Sequence, residues 1–381
     1  MYVDYILNGQ GHGMVAEQLQ GCRFDPGLLR PYIDERGRKC VTVNTGRTQF
    51  NQAKGRYEPV YEKALVSDLQ ASGIAVPVAN ATSLRKDEWL QMDTVVLKAA
   101  RQRLRAWSDL AGANSFGGFN GMSKLVLEHE TMSDPGEAVV DMDGLTEGRT
   151  DSPKFQLEGL PLPITHSDFM FSSRRLSVSR NTGTPLDTTM GEAAGRRVAE
   201  MVEKTLIGTI TGATYGTAAD YGRAPTVFGY TNFPDRVTKS DMTVPTGSNG
   251  TTILTDFLAC RDLLYDQNFY GPFMVYTSTD WDQFLDDEFK TNSDKSLRQR
   301  LSEIDGINGI RRLDFLTNTF TVLFVQMTAD VARAVVGMDI TTVQWEAVGG
   351  MRLNFKVMAI LVPQLRADYN GNCGILHATT V

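Results

Sequence analysis

The polar run Asp143-Gly144-Leu145-Thr146-Glu147-Gly148-Arg149-Thr150-Asp151 constrains this chain more than any other feature. It interrupts segments of strand character at 124–129 and 137–142 on one side, and at 155–157 and 160–171 on the other. Strands joined by such a tip form a long hairpin, and an isolated two-stranded ribbon is marginally stable at best in water. The ribbon must therefore lie on something, most simply a neighbouring subunit.

Around it the pattern changes. Trp89, Met92, Val96, Ala100, Leu104 and Trp107 recur at spacings of three and four, which predicts one helix over 88–110 ended by Gly112. Arg101, Arg103 and Arg105 fall mostly off that face, toward solvent or an acidic partner. Thr189-Met190-Gly191-Glu192 matches a capping box with Thr189 as the cap. The helix after it places Met190, Ala194, Val198, Met201, Val202 and Leu206 on one face. Glu192, Arg196, Arg197, Glu200, Glu203 and Lys204 are spaced for exposed charge pairs.

A further helix is expected at 252–267 and a strand at 272–276, with Ser278 as the cap of a short helix through Trp281 and Leu285. Strands are expected at 319–327, 331–336, 341–348, 351–365 and 374–378. Helices and strands mixed without β-α-β alternation imply an α+β fold. Residues 1–86 are rich in Gly, Arg and Gln without sustained periodicity, which fits a small irregular domain or an arm that orders against another subunit.

The residues offer little chemistry. There is no G-x-x-x-x-G-K-[ST], G-x-S-x-G or H-E-x-x-H, and Gly9-Gln10-Gly11-His12-Gly13 lacks the strand and helix of a phosphate cradle. His12, His129, His166 and His377 are isolated in sequence, and Asp286-Asp287-Glu288 reads as a solvent face. Asp141-Met142-Asp143-Gly144 lacks the spacing of an EF-hand. Cys22, Cys40, Cys260 and Cys373 form no C-x-x-C pair and read as reduced, mostly buried thiols of a chain made in the cytosol. The first residues lack the pattern of a signal peptide, and no apolar stretch approaches the ~20 residues of a membrane span. The net charge of -7 argues against a protein whose main task is gripping nucleic acid, though not against a container whose inner wall faces DNA. No catalytic residue, cofactor-binding residue or metal ligand is assigned, and no enzyme is expected.

The order of parts carries a resemblance. A helix, a long hairpin, the stretch Leu160-Pro161-Leu162-Pro163-Ile164-Thr165-His166-Ser167-Asp168-Phe169-Met170-Phe171, a helix ending in Leu206-Ile207-Gly208 and then a mixed domain resemble the Hong Kong ninety-seven type of major capsid protein of tailed bacteriophages. Encapsulins, bacterial nanocompartment shells, are similar over the same stretch. The match includes Pro163 to Phe169 leading to Pro185-Leu186-Asp187-Thr188-Thr189, and Gly271-Pro272-Phe273-Met274-Val275 in the central domain. It covers roughly 88–381.

The resemblance implies an N-terminal arm (1–86), an N-terminal helix (87–113), an extended hairpin loop (114–171), a peripheral domain with a spine helix (172–225), an axial domain (226–340) and strands returning to the peripheral sheet (341–381). It also implies a shell of pentamers and hexamers forming an icosahedral head around double-stranded DNA. The chain would be located in the virion after assembly in the host cytoplasm. Cement or decoration, scaffolding and portal proteins are its other implied partners, and no membrane is. The segment 1–86 has no encapsulin counterpart, which favours a phage capsid over a nanocompartment; an α+β enzyme is the remaining alternative. Some relatives join a hairpin Lys to an Asn of a neighbour beside a buried carboxylate, which points to Lys154, Asn370, Asn372 and Asp368. Lys154, however, follows the polar Asp151-Ser152-Pro153, and Asn370-Gly371-Asn372 reads as a turn, so a shell without covalent cross-links is expected.

Overall fold

A computed structural model describes residues 32–33, 36, 38–51, 56–71, 86–133, 138, 140–143, 152–182, 188–210, 212–218, 221, 223–290, 294–316 and 319–380. The chain begins with β1 (Tyr32–Ile33), β2 (Lys39–Asn51), β3 (Arg56–Leu65) and α1 (Val66–Ala71), the strands forming an antiparallel three-stranded sheet. Then come α2 (Lys86–Arg101), α3 (Arg105–Ala113), β4 (Ser115–Phe116), β5 (Val126–Met132), β6 (Phe155–Pro161), β7 (Thr165–Ser172), α4 (Ser173–Thr182) and α5 (Thr189–Ile207). The rest is β8 (Val237–Met242), α6 (Gly250–Tyr265), β9 (Phe273–Thr277), α7 (Asp282–Leu285), α8 (Leu297–Ser302), β10 (Ile307–Arg312), β11 (Val322–Gln326), β12 (Ala332–Ala347), β13 (Arg352–Leu365) and β14 (Ile375–Thr380).

Two sheets organise the body. One has the order β4-β12-β13-β7 and packs α5 against its inner face, where Phe169 and Phe355 stack 5.1 Å apart and Phe171 meets Phe355 edge-on. The other has the order β10-β9-β11-β14-β8 and is covered on both faces. Met274, Tyr276, Leu323 and Val325 face the core around α5, while Phe273, Val275, Val322 and Phe324 face a second core under α6, α7 and α8. Burial on both faces explains why β9 and β11 are apolar runs rather than alternating ones.

Several expectations need correction. The helix at 88–110 is two helices, broken at 102–104, because α3 starts on an internal cap: both carboxylate oxygens of Glu203 accept backbone N–H groups, Ala106 at 2.7 Å and Trp107 at 3.2 Å. Glu203 is thus buried, not part of an exposed charge pair. On α5 the buried face includes Gly191 and Gly195, whereas Met190 and Met201 are exposed. A Cβ on Gly195 would stand 2.9 Å from the Val96 carbonyl oxygen, and one on Gly191 would collide with the Met92 sulfur, so these glycines let α2 approach. The cap of α5 is Thr188, outside the extended region and without a side-chain bond, so the capping box does not form. Ser278 stands at the N-cap of the short helical turn after β9 in extended backbone, as expected, but its side chain makes no capping hydrogen bond. A capping box is made instead by Ser296 and Gln299 at α8, an S-x-x-Q signal the sequence did carry.

The segmentation changes too. The hairpin proper is β5–β6; β7 pairs with β13 in the four-stranded sheet, so the extended loop does not run to 171. The strands at 331–336 and 341–348 are one strand, β12, with register shifts between Val336 and Thr341. That strand crosses the 340/341 boundary. The last strand does not return to the four-stranded sheet: β14 lies between β11 and β8 in the five-stranded one. β-α-β crossovers do occur: β9 and β10, for example, are parallel neighbours joined through α7 and α8. In the first segment, Tyr32 and Cys40 pack into the main core, so its described part is not a bare arm.

Burial pushes the Glu203 carboxyl up from 4.5 to about 7, and nearby Asp109 adds to this against the backbone hydrogen bonds. Between those values the folded chain holds more protons than the unfolded one. This stability is therefore fully present on the acid side and is lost as pH rises through the window. The unfolding free energy of the unmodified chain minus that of Glu203→Gln should fall by about 3 kcal/mol between pH ~4.5 and ~8 in chemical denaturation. A flat difference would show that Glu203 does not titrate there.

Candidate assembly surface

The β5–β6 hairpin is anchored only at its base. Val126 pairs with Pro161 and Leu127 with Leu160. Leu160 and Leu162 join Val227, Val335, Ile360 and Val362 in a small core of their own, with Leu127 packed against it. Farther out the ribbon leaves the body. Cross-strand partners share a face, so Glu128, Glu130 and Met132 of β5 lie with Gly159, Leu157 and Phe155 of β6. Met132 and Phe155 are 56% and 62% exposed, an apolar stripe bordered by two carboxylates. The tip at 144–151 lies outside the described residues.

A polar joint crosses the base. Arg223 donates to Asp235 at 2.7 Å, lies 3.5 Å from Glu158 of β6, and has its guanidinium within 6 Å of both the Phe228 and Phe233 rings. His129 Nε2 of β5 stands 3.4 Å from Glu158, and Tyr221 donates to Glu128 at 3.0 Å. His129 beside Glu158 holds its carboxyl below the usual range; burial opposes this and Arg223 supports it. His129, Glu158, Arg223, Phe228 and Phe233, with Gln364 and Leu365 of β13, line a cavity of about 30 Å³. Arg223 is therefore the pin of the joint. Arg223→Ala should lower hydrogen-exchange protection of the β5 and β6 amides about tenfold, leaving β9 and β11 unchanged, in proportion to a partly buried ion pair with two ring contacts. Unchanged protection would mean that the apolar base alone holds the ribbon.

The residues singled out in sequence do not converge on a reaction centre. His166 lies 3.3 Å from Asp168 at the surface, and His377 is half-buried with its imidazole pulled down to about 4 by desolvation and Arg236. His12 and Cys22 lie outside the described residues; Cys40, Cys260 and Cys373 are buried free thiols. Asp286 pairs with Arg298 at 2.8 Å, and Asp141 and Asp143 are exposed. Lys154 is exposed at the outer end of the hairpin. The Asp368 carboxylate is taken up by the Asn370 N–H at 2.9 Å and by the Asn372 N–H and amide at 2.7 and 2.9 Å, closing the turn between β13 and β14. Among the described residues no group of His, Cys, Asp and Glu could hold a metal, and no helix is long and apolar enough to cross a membrane.

Sequence reasoning missed the joint because its members, from Glu128 to Gln364, are far apart in the chain. It bracketed the β12–β13 turn between the strands expected at 341–348 and 351–365, but not the backbone there, where Val348 takes a φ of 54° and is 71% exposed. A β-branched residue in that conformation is strained, and Gly349-Gly350 was the signal for a tight turn.

The model of a family of unknown function (DUF6260) matches residues 79–378. The chain belongs to this family. Comparison with curated proteins finds no match to this DUF6260 chain. Solved structures give more. The chain of a virus-like particle from Pyrococcus furiosus superposes with a TM-score of 0.51 at 16% identity, over 76% of this chain and 98% of that one. A chain from the capsid of Myoviridae phage XM1 gives 0.51 at 12% identity, over 72% and 92%. At such identities the likeness is one of fold. This DUF6260 member has the α+β fold of the Hong Kong ninety-seven type that its sequence resembles.

Proposed function

We propose that the chain is a major capsid protein, a structural subunit that self-assembles through its β5–β6 hairpin into the pentamers and hexamers of a phage head around double-stranded DNA. The observation that carries this reading is the ribbon itself. It is held at its base by Arg223 and a small apolar cluster, and it projects an apolar stripe that no core among the described residues covers. A monomer gains nothing from exposing Phe155 and Met132, whereas a ring of copies buries each ribbon on its neighbour, and interlocking contacts distributed around a subunit close a shell. The fold shared with a virus-like particle and a phage capsid supports the same reading. Residues near 226–331 together with β14 would form the axial domain. Residues 188–207 with β7, β12 and β13 would form the peripheral one.

Negative-stain electron microscopy of the purified chain should show closed particles. The variant carrying Met132→Ser, Phe155→Ser and Leu157→Ser should lose them while its melting temperature stays within about 3 °C, since surface substitutions away from a core cost little. Particles from the triple variant, or a monodisperse monomer from the unmodified chain, would refute the reading.

The shell is held without covalent links. Cross-link chemistry of this kind needs a neutral amine held against the amide carbonyl. Lys154 is exposed, and the Asp368 carboxylate is engaged by its own turn. Boiled particles on a denaturing gel should therefore give a single band at the 42.1 kDa of the chain; a ladder of multiples would contradict this.

A further inference from the structure

The break between α2 and α3 carries a concentration of positive charge on a chain whose net charge is -7. Lys98, Arg101, Arg103 and Arg105 are all exposed there, and Arg196 and Arg197 stand on the adjoining exposed face of α5. Glu200 is the only acid in ion-pair range of any of them among the described residues, and three arginines share it: Arg103 at 3.7 Å, Arg196 at 3.9 Å and Arg197 at 4.0 Å. Lys98, Arg101 and Arg105 have no ion-pair partner among the described residues. The folded backbone keeps these cations together. Glu203 turns the chain at 102–104, so that the end of α2 and the start of α3 present their arginines beside α5.

We propose that this surface, formed by α2, α3 and α5, is a docking face for the phosphate backbone of double-stranded DNA. Its choice of duplex rests on the shell reading above. A row of arginines with few acids suits sequence-independent phosphate contact, which needs positive charge and releases counterions. The acidic hairpin of a second copy fits this face less well. Its stripe of Phe155, Leu157 and Met132 requires a run of apolar seats, whereas the exposed residues beside the arginines of the turn are Gln102 and Ser108, and the exposed apolar side chains of these helices are Leu90, Met190 and Met201. The opposite, outward face of the four-stranded sheet mixes Asp168 with Lys356, which pair at 3.7 Å, and lacks the charge excess. The two faces of the wall therefore differ, and α2, α3 and α5 would line the inside.

The test adds a fluorescein-labelled duplex of about 30 base pairs to the full-length chain before particles close, so that the inner face is open to it, and measures anisotropy across a salt series. The variant carrying Arg101→Gln, Arg105→Gln and Arg197→Gln removes exposed charge without touching the core. It should weaken binding at least about tenfold at low salt and reduce the log–log salt slope by about 2 to 3, roughly 0.9 per phosphate contact. Glu200→Gln removes the shared acid and should tighten binding several-fold. An unchanged slope in the triple variant would overturn the assignment, as would equal binding of labelled polyglutamate. Micrographs of the same samples separate this inference from the shell reading. Particles with unaltered DNA binding in the triple variant refute the docking face alone. Absence of particles with the expected loss of binding refutes the shell and leaves the face standing.

Discussion

Glu203 brings a carboxylate into an apolar interior, where a charge without partners is expensive, and the way it is satisfied sets much of the surrounding geometry. Its two oxygens take the first N–H groups of α3, donors that every helix leaves open. The helix that sequence periodicity would have run straight from 88 to 110 must therefore stop and restart. Its second half is aimed across the end of α5 toward the five-stranded sheet. There Asp109 of α3 accepts from Tyr276 of β9 at 3.2 Å and pairs with Arg311 of β10. Desolvation keeps the Asp109 carboxyl above its usual range although Arg311 opposes it. A short polar chain thus ties the five-stranded sheet, through α3, to α5.

The body and the ribbon obey opposite rules. β9 and β11 are buried on both faces, and their side chains alternate between two cores. Such strands are fixed by packing alone and tolerate little variation in volume. The ribbon has one small core at its base and an ion-pair joint whose contacts are worth about 1 kcal/mol each. Direction is therefore adjustable at the joint while the body stays rigid. The proposed capsid role, with one sequence in both five-fold and six-fold surroundings, calls for that combination.

Much of this was legible in the sequence, for identifiable reasons. Continuous apolar runs such as Phe273–Thr277 announce a doubly buried strand, and the spacing of Val198, Val202 and Leu206 gave α5 its true face. The polar run after Asp143 gave the ribbon. What failed was everything decided by distant partners. Thr189-x-x-Glu192 has the letters of a capping box, yet the chain enters α5 through Thr188 in a conformation that offers no side-chain bond, while Ser296-x-x-Gln299 forms one. Glu203 has the spacing of a surface pair and is buried because α3 arrives from nearly a hundred residues away. Gly191 and Gly195 look like weak helix residues and are what lets Met92 and Val96 pack close. The resemblance puts the final strand in the peripheral sheet, but the Asp368–Asn372 turn carries it to the other sheet.

Charge is distributed with the same division of labour. The overall acidity of the chain keeps copies apart at long range, screened beyond roughly 10 Å at ordinary salt. Contacts are therefore decided where surfaces meet closely, and the two proposed surfaces are an apolar stripe edged by Glu128 and Glu130 on the ribbon and an arginine-rich shelf at the break between α2 and α3. The two are chemically unlike, so a ribbon that landed on the shelf would leave Phe155 and Met132 wet. Mispairing of that kind costs the burial of two large side chains, several kcal/mol at about 25 cal/mol per Å². The sign of the charge would attract the ribbon to the shelf, but the apolar stripe decides against it. The same carboxylate that breaks the helix, Glu203, thus sets the arginines of the turn together in a shelf chemically unlike the stripe proposed to join copy to copy.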